Sequence, residues 1–471
     1  MLPFIGIMLA VLALTLVASA MLKGNASRLA AIAGSAVAAV LAFALLGAVL
    51  YTGSFGTGES LASYIPQLNV LLDFRLTAVS LVLIVMASIV AFVTLLSGNV
   101  EMERLRVSSS LVLLFELAAI GLFSSANLLL FFIFWDVGVV ALFFMIYVLG
   151  SANRRHAAMK FLIYELLASL LLLLGIMMVY FYTPIHSFDI AYITSVASTV
   201  SKSTQGLIFF VLFIAFLINM PVFPVHLWLP DAHTEASTQG SMLLSGVLTK
   251  FGGYGMLLLF SMLPIASAYM VPVMILAAFS AFYSVLVLMV QHDIKRIVAY
   301  TTIVEMSIIL VGIASLSAFG TAGATYAMLA HGLTVALMFL AAGSVGYMFA
   351  DRDIRSVSGV VRNTISTTYA FLLGIFATTG VPLTTAFIGD VLIFIGAIGA
   401  FGIYGAIPLA ALALLGAFLY YVVNRSFLSV KRKSNAVAYI GRSQNVGYAI
   451  LLFFILLFGI LPFVILKLFG I

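Results

Sequence analysis

Long apolar stretches, each about the 20 residues that a helix needs to cross a bilayer, follow one another along almost the whole chain. We count fourteen such spans. Hydrophobic residues make up 64% of the 471 residues and charged residues only 8%, a balance that excludes a water-soluble fold. Because backbone inside lipid must satisfy its own polar groups, the pattern predicts an all-α polytopic membrane protein.

The predicted spans leave no linker or low-complexity segment that would indicate a second domain. We therefore expect a single membrane domain over residues 1–471. The first span lacks a basic leading region and a cleavage site, so it is expected to be retained as a helix. The spans cover residues 1–22, 27–52, 74–97, 107–122, 126–149, 159–183, 206–230, 236–262, 266–290, 294–315, 320–349, 364–400, 402–426 and 444–470.

Basic residues fall almost entirely in the connections on one side of the predicted membrane domain. The positive-inside rule makes that side cytoplasmic and places both termini on the outer side. The cytoplasmic connections carry seventeen basic residues: Lys23, Arg28, Arg104, Arg106, Arg154, Arg155, Lys160, Lys295, Arg296, Arg352, Arg355, Arg362, Arg425, Lys431, Arg432, Lys433 and Arg442. The opposite side carries three: Arg75, Lys202 and Lys467. The net charge of +6 therefore reflects topology and does not indicate nucleic-acid binding.

Two of the spans are interrupted by residues that break helices. Pro221 and Pro224 interrupt the seventh span, and a Gly-Val-Pro sequence from Gly380 interrupts the twelfth. Membranes tolerate such breaks only where protein or a water-filled cavity surrounds them. Each broken span is the fourth of a five-helix unit, one over about 107–262 and the other over about 266–426. An odd number of helices inverts the second unit, so we expect two inverted repeats, each with a broken helix, as in transporters.

Seven ionisable residues fall inside the predicted spans: Glu116, Asp136, Glu165, Lys250, Glu305, His331 and Asp390. Some of them can lie near helix ends or pair locally to fix packing, and Glu165, close to Lys160, fits that alternative as well as a functional role. Four have apolar sequence on both sides, which favours function: Asp136, Lys250, His331 and Asp390. Carboxyl groups, a lysine and a histidine can together take up and release protons, which is the chemistry of a proton relay.

Span eight carries a stripe of hydroxyl groups in front of its lysine. Ser237, Ser241, Ser245 and Thr249 recur every four residues and therefore share one helix face. Hydroxyl groups both donate and accept hydrogen bonds, so they can hold a file of water leading to Lys250. Small residues also favour close helix packing in membranes, and the two interpretations are compatible.

Polar groups also crowd the connection after the broken seventh span. His226, Asp231, His233 and Glu235 lie within ten residues, but their spacing matches no strong metal-ligand motif. We expect them instead to satisfy the loop backbone and the nearby helix ends. The chain has no cysteine, so it holds no disulfide and no thiolate-ligated metal centre. No cofactor is expected in this chain, and any electron transfer would occur in a partner.

The connection and span eight together resemble a known family signature. HLWLPDAHTEASTQGSMLLSGVLTKFGGYG, from His226, is similar to the signature of the antiporter-like membrane subunits of respiratory complex I, with subunit M (mitochondrial subunit 4) the nearest in pattern. Further segments fall in the family's order over spans four to twelve: NLLLFFIFWD ending at Asp136, KFLIYELLASLLLL from Lys160, QHDIKRIVAYTTI from Gln291 and AHGLTVALMFLAAG around His331. Relatives of that family include Mrp-type cation/proton antiporters and the membrane arms of energy-converting hydrogenases.

The resemblance implies a role for each matching ionisable residue. By this resemblance, Glu116 and Asp136 correspond to the carboxylates of spans four and five. Lys250 corresponds to the central lysine of span eight, His331 to the histidine of span eleven and Asp390 to the exit carboxylate of span twelve. Aspartate replaces the family's usual glutamate at Asp136 and Asp390.

Three positions depart from the family pattern. Asn219 stands where the family has the lysine of span seven, the usual partner of the span-five carboxylate. Glu305 replaces a histidine in span ten, and Ser237 replaces a proline of the loop. Asparagine does not titrate, so Asp136, buried without a cation, is expected to be neutral much of the time. We therefore expect the ion path to depend on four residues: Lys250, Glu305, His331 and Asp390. Asp136 is expected to have only a weakened role in triggering proton movement.

The resemblance implies a proton-translocating membrane-arm subunit of a complex I-like NADH/quinone-type oxidoreductase, coupled to redox chemistry in other subunits. Its expected partners are other membrane-arm subunits, lipid and protons or Na⁺, in a prokaryotic cytoplasmic membrane or an organelle inner membrane. Three alternatives remain: a subunit of a Mrp-type antiporter, a hydrogenase membrane arm and a non-conducting spacer. The additional carboxylates Glu165 and Glu305 would favour a cation, since hard ions prefer oxygen ligands.

Overall fold

The structure is a computed structural model that describes residues 4–55, 59–65, 70–98, 104–429 and 436–471. Within these ranges it contains 14 helices that are long and apolar enough to cross a membrane, as predicted. The start of the first predicted span (residues 1–3) lies outside the described residues, as do three of the basic residues counted above: Lys431, Arg432 and Lys433.

The first half of the chain runs from the N-terminal helices to the end of span eight. It consists of α1 (Phe4–Met21), α2 (Gly24–Thr52), β1 (Glu59–Ile65), β2 (Val70–Phe74), α3 (Ala78–Ser97), α4 (Leu105–Ser124), α5 (Leu128–Leu149), α6 (Arg154–Tyr182), α7 (Ile190–Val196), α8 (Lys202–Asn219), α9 (Trp228–Glu235), α10 (Thr238–Leu243), a π-helical turn (Leu244–Leu248) and α11 (Thr249–Met262).

The second half contains the remaining spans and the second broken helix. It consists of α12 (Met270–Leu288), α13 (Ile294–Ala314), α14 (Ala318–Phe349), α15 (Val360–Asn363), α16 (Ile365–Thr378), α17 (Thr385–Phe401), α18 (Ala410–Val422), α19 (Arg442–Ile460) and α20 (Phe463–Leu466). A 3₁₀ turn (Pro264–Tyr269) leads into α12, and a π-helical turn (Val423–Phe427) extends α18.

A two-stranded antiparallel hairpin precedes α3 and was not predicted from the sequence. Span three was expected to start at residue 74, but Phe74 ends the second strand and the helix begins at Ala78. Thr77 fixes this start, because its hydroxyl accepts from Ser80 N while the Ser80 hydroxyl closes a capping box.

Both predicted breaks are present, and the prolines end the first helix earlier than expected. Span seven was predicted as one segment, but α8 ends at Asn219 and the chain restarts as α9 at Trp228. Pro221 lacks an N–H and cannot continue the helix, and the Phe223–Pro224 peptide bond is cis. The Trp228 indole N–H donates to the carbonyl of Ile218 at 2.9 Å, which folds α9 back against the end of α8.

The core of the bundle is formed by three spans. In an 18-residue apolar stretch of each of these spans (α10–α11, α13 and α14), 94% of the residues are buried, compared with 22% in α1. The second half of the broken twelfth span, α17, makes extensive contact with α14 and so packs against this core. Residues on the core helices are therefore shielded from lipid on all sides, where a polar row can persist. The relation of the two halves as inverted repeats stays a prediction.

Candidate functional site

Lys250 lies at the centre of the bundle and is completely buried. Its Nζ atom donates to the carbonyl of Ser245 at 2.6 Å, and it hydrogen-bonds the Thr249 hydroxyl at 3.4 Å and Nδ1 of His331. A lysine side chain carries at most three N–H donors, so these three partners can satisfy it. The π-helical turn just before Lys250 places the Ser245 carbonyl within reach of the lysine side chain, and such turns are common at functional sites.

His331 on α14 is held against span eight by a close approach of two glycines. A Cβ added to Gly332 would lie 2.8 Å from the carbonyl oxygen of Gly246, so any larger residue would push the helices apart. With Lys250 as the donor to Nδ1 of His331, a neutral imidazole carries its hydrogen on Nε2. Nε2 has no hydrogen-bond partner among the described residues, so it is available to the next group of a relay.

Glu305 and Asp390 continue the polar row from Lys250 to the broken twelfth span. Glu305 on α13 interacts electrostatically with both Lys250 and Asp390. The two carboxyl groups and the Thr378 hydroxyl line a cavity of about 10 Å³, close to the smallest space that holds one water molecule. The Asp390 carboxyl group lies against the turn that breaks the twelfth span. A Cβ atom added to Gly380 in that turn would lie 2.6 Å from Oδ2 of Asp390. The structure therefore brings together four of the predicted site residues.

His233 extends the same row in the opposite direction and was not among the predicted site residues. It was expected in a polar loop, but it lies on the short helix α9, fully buried and stacked on Phe339 with ring centroids 4.4 Å apart. It interacts electrostatically with Lys250 and with the Lys295 side chain. Neither ring nitrogen has a hydrogen-bond partner among the described residues. Its place directly after the proline-broken seventh span was the signal available in the sequence.

The region around span seven differs from the pairing that the family pattern implies. Asn219 faces Glu165 of α6, to which its Nδ2 donates at 3.0 Å, and not Asp136. Asp136 on α5 instead accepts a hydrogen bond from Ser169 of α6. Glu165 is completely buried, whereas Asp136 is only partly buried. The sequence made Asp136 a candidate site residue in this region, and the structure adds Glu165 as a second candidate.

Glu116 is buried apart from the row that contains Lys250. The neighbour of its carboxyl group is the Ser35 hydroxyl of α2. Ser35 lies beside the carboxyl group without hydrogen-bond geometry, and neither carboxyl oxygen has a hydrogen-bond partner among the described residues. Glu116 is thus the predicted site residue that faces the N-terminal helices.

The hydroxyl stripe of span eight is engaged by protein groups. Ser237 caps α10 by accepting from Gly240 N at 3.1 Å, and Ser241 donates to the His233 carbonyl at 3.2 Å. Ser245 exchanges a hydrogen bond of 2.5 Å with Thr302, and Thr249 donates to the Ser245 carbonyl at 2.9 Å. These contacts fit the packing interpretation, and the water file stays a prediction.

Charged groups fasten α9 to its neighbours on the basic side of the bundle. Asp231 pairs with Lys160 of α6 at 2.6 Å and with Arg296 of α13 at 3.2 Å. Glu235 accepts from the Ser151 hydroxyl at 2.6 Å and from the backbone of Asn153 at 2.9 Å. These two carboxylates therefore anchor a helix end, as expected. In the ranges that the structure describes, no group of three His, Asp or Glu side chains is arranged to hold a metal ion.

An all-helical bundle with two broken spans and a buried row of ionisable groups defines an integral membrane protein built like an ion transporter. The family described as "NADH:quinone oxidoreductase/Mrp antiporter, TM" matches residues 125–416. The match covers more than half of the chain, which therefore belongs to this family.

Three relatives are about one-third identical to this chain over the aligned residues. NADH-quinone oxidoreductase subunit M of Rickettsia conorii is 31% identical over 409 residues, 83% of this chain and 80% of that protein. The subunit M of Rickettsia felis is 36% identical over 288 residues, 60% of this chain and 58% of that protein. The F(420)H(2) dehydrogenase subunit M of Methanosarcina mazei is 32% identical over 414 residues, 85% and 83% of the two chains.

Solved structures share the fold at lower sequence identity. A chain of respiratory complex I from Thermus thermophilus superposes with a TM-score of 0.89 at 22% identity, covering 98% of this chain and 97% of that chain. A chain of the Mrp complex from Dietzia sp. gives a TM-score of 0.87 at 18% identity, covering 100% and 97%. The fold is therefore common to membrane subunits of oxidoreductases and of antiporters.

Proposed function

We propose that this protein is a proton-translocating membrane-arm subunit of a complex I-like oxidoreductase that reduces quinone. The observation that carries the proposal is the fully buried Lys250, bonded to His331 and linked electrostatically through Glu305 to Asp390 at a helix break. Lysine, imidazole and carboxyl groups that neighbour one another in such a row can pass protons stepwise. The names of the Rickettsia relatives support coupling to a redox reaction in partner subunits.

The proposed path crosses the bundle between its two broken helices. On the basic side, which we infer to be cytoplasmic, His233 stands between Lys295 and the Lys250–His331 pair. From there the row continues through Glu305 to Asp390. The protein would lie in a prokaryotic cytoplasmic membrane or an organelle inner membrane, with other membrane-arm subunits beside it.

The test is the Lys250→Ala variant in the native assembly, in vesicles where lumen acidification is driven by the assembly's own redox reaction. Alanine removes the group that interacts with both His331 and Glu305, so we expect proton pumping to fall at least about tenfold, as for loss of a proton-transfer group. Glu235→Gln is the matched control, because the amide oxygen can still accept from Ser151 and Asn153. Normal pumping by Lys250→Ala would exclude the proposed path and favour a non-conducting spacer.

A second candidate is a cation/proton antiporter subunit, which the cavity between Glu305 and Asp390 favours. Two carboxylates and the Thr378 hydroxyl are the oxygen ligands that hard cations such as Na⁺ prefer. The same vesicles separate the two functions. Antiport would make proton movement depend on Na⁺ in the absence of any electron donor, whereas a redox-driven pump would need the donor and not Na⁺.

A further inference from the structure

Glu165 is a buried carboxyl group at membrane depth that the proposed path does not use. It is completely shielded from solvent on α6, and its Oε2 accepts a hydrogen bond from Asn219. Its Oε1 has no hydrogen-bond partner among the described residues, and none of the ion pairs formed within them includes Glu165. A carboxylate in this position is costly unless it binds a proton or meets a cation.

The neighbouring amide fixes which oxygen of Glu165 can exchange a proton. The Oδ1 atom of Asn219 accepts from the backbone N–H of Gly252 at 2.8 Å. A backbone N–H can only donate, so Nδ2 of Asn219 must point towards Glu165. The Asn219 bond therefore persists whether Glu165 is ionised or protonated, because Oε2 accepts in both forms. Proton exchange is left to Oε1.

The position of Glu165 connects two titratable regions. Ser169, one turn further along α6, donates to Asp136, and the carboxyl groups of Asp136 and Glu165 interact electrostatically. On the other side, Asn219 bonds to Gly252, two residues after Lys250 on α11. Two carboxyl groups that interact in a low dielectric titrate as a coupled pair, so the charge on one influences the charge on the other.

We propose that Glu165 is a proton-carrying residue that takes over the task for which the family uses a lysine at position 219. The Asp136–Glu165 pair holds one proton. When the O–H bond at Glu165 Oε1 breaks and one forms on Asp136, directly or through water, Glu165 becomes anionic and Asp136 neutral. The total charge of the pair stays the same while the negative charge moves towards the helix that carries Lys250. This inference rests on the proposed proton translocation.

The first test is Glu165→Gln in the native assembly, assayed for redox-driven proton pumping in vesicles. Glutamine keeps the size of the side chain and an oxygen that accepts from Asn219, so a structural role would survive the change. Loss of titration is expected to reduce pumping about tenfold or more. Glu165→Asp, which restores a titratable group, is expected to recover a substantial part of it. Glu235→Gln serves as the matched control on the basic side.

The second test is Asn219→Lys, which covers the case in which Glu165→Gln does not assemble. The Asn219 amide faces Glu165, so a lysine there would form an ion pair with it and hold it as an anion. We expect this single variant to pump less than the wild type, and Asn219→Lys with Glu165→Gln to pump more than the single variant. A gain of pumping by Asn219→Lys alone would overturn the inference.

The two proposals can fail separately. If Glu165→Gln pumps normally while Lys250→Ala does not, the role of Glu165 is structural and the proposed function stands. If Lys250→Ala also pumps normally, the proposed function itself is wrong.

Discussion

At the scale of single residues, the site depends on polar side chains that find their partners inside the bundle. The three hydrogen-bond partners of Lys250 can take all the N–H groups of its side chain, which explains how a completely buried lysine is tolerated. Asp390 is held differently, since its carboxyl group lies against the turn at Gly380. The backbone of that turn is therefore part of the site.

Gly380→Ala is expected to destabilise the protein and displace Asp390. Gly380 has φ +64°, a conformation that costs a residue with a Cβ about 1–2 kcal/mol, and the new methyl group would lie 2.6 Å from Asp390 Oδ2. Thermal unfolding of the purified assembly and proton pumping in vesicles should both be lowered.

Gly399→Ala is the matched control for this substitution. It lies in the same span, inside α17, with nothing within 4 Å of an added Cβ. Alanine in a helix interior is favoured over glycine by about 0.5–1 kcal/mol, so stability should be unchanged or slightly raised. Equal behaviour of the two alanine variants would show that the Gly380 turn does not constrain Asp390.

At the scale of elements, the broken helices decide where the polar row begins and ends. Because α8 stops before Pro221, the chain can turn back and insert α9, and this insertion buries His233 beside the Lys250–His331 pair. A helix of eight residues is too short to be stable alone, so its position depends on tertiary contacts. Asp231 supplies two of them through Lys160 and Arg296.

Asp231→Asn is expected to loosen α9. The three charged side chains are between 25% and 37% exposed, so screening limits the loss to about 1 kcal/mol for each pair. Thermal stability should fall by a small amount, more at low salt than at high salt. Faster hydrogen exchange in residues 228–235 would locate the effect in α9.

Asp353→Asn is the control, because the Asp353–Arg355 pair is also on the basic side but fastens no separate element. Hydrogen bonding to Arg355 keeps the pKa of Asp353 below its usual range, so the carboxylate is charged at neutral pH. The stability that it contributes is present above the unfolded-state pKa and is lost only as the pH falls through the lower folded-state value. At neutral pH, an exposed pair two residues apart should contribute little. A loss of stability as large as that in Asp231→Asn would contradict a specific role for α9.

At the scale of the whole molecule, we expect the distribution of charge to set the orientation in the membrane and the packing to set the proposed proton path. The most buried spans surround Lys250, while outer helices such as α6 present apolar side chains to lipid or to neighbouring subunits. The basic connections gather at the end of the bundle where α9 is anchored. That end is therefore predicted to face the cytoplasm, and the row from His233 to Asp390 to begin there.

Reporter fusions test this orientation. Alkaline phosphatase, which is active only outside the cytoplasm, is expected to be active when fused after the last residue, Ile471, and inactive when fused after Arg355. Green fluorescent protein should give the opposite pattern. Fluorescence of the Ile471 fusion combined with phosphatase activity of the Arg355 fusion would reverse the orientation.

The sequence by itself determined the class of fold, the number of spans and the place of both breaks. Hydropathy, charge and proline are local properties, and a bilayer acts on each segment in turn, so these features need no knowledge of neighbours. The same holds for the presence of Lys250, Glu305, His331 and Asp390 inside spans. The hairpin before α3 was missed, because its short strands carry no signal comparable to that of a span.

Only the tertiary structure decided which polar groups meet. Asn219 contacts Glu165, 54 residues away, and not Asp136; Glu116 faces the N-terminal helices; and His233 is buried in the row. Such pairings depend on how helices distant in sequence rotate and pack against one another, which no local pattern encodes. The sequence therefore indicated that this protein keeps ionisable groups inside a membrane, and the packing showed which of them lie next to one another.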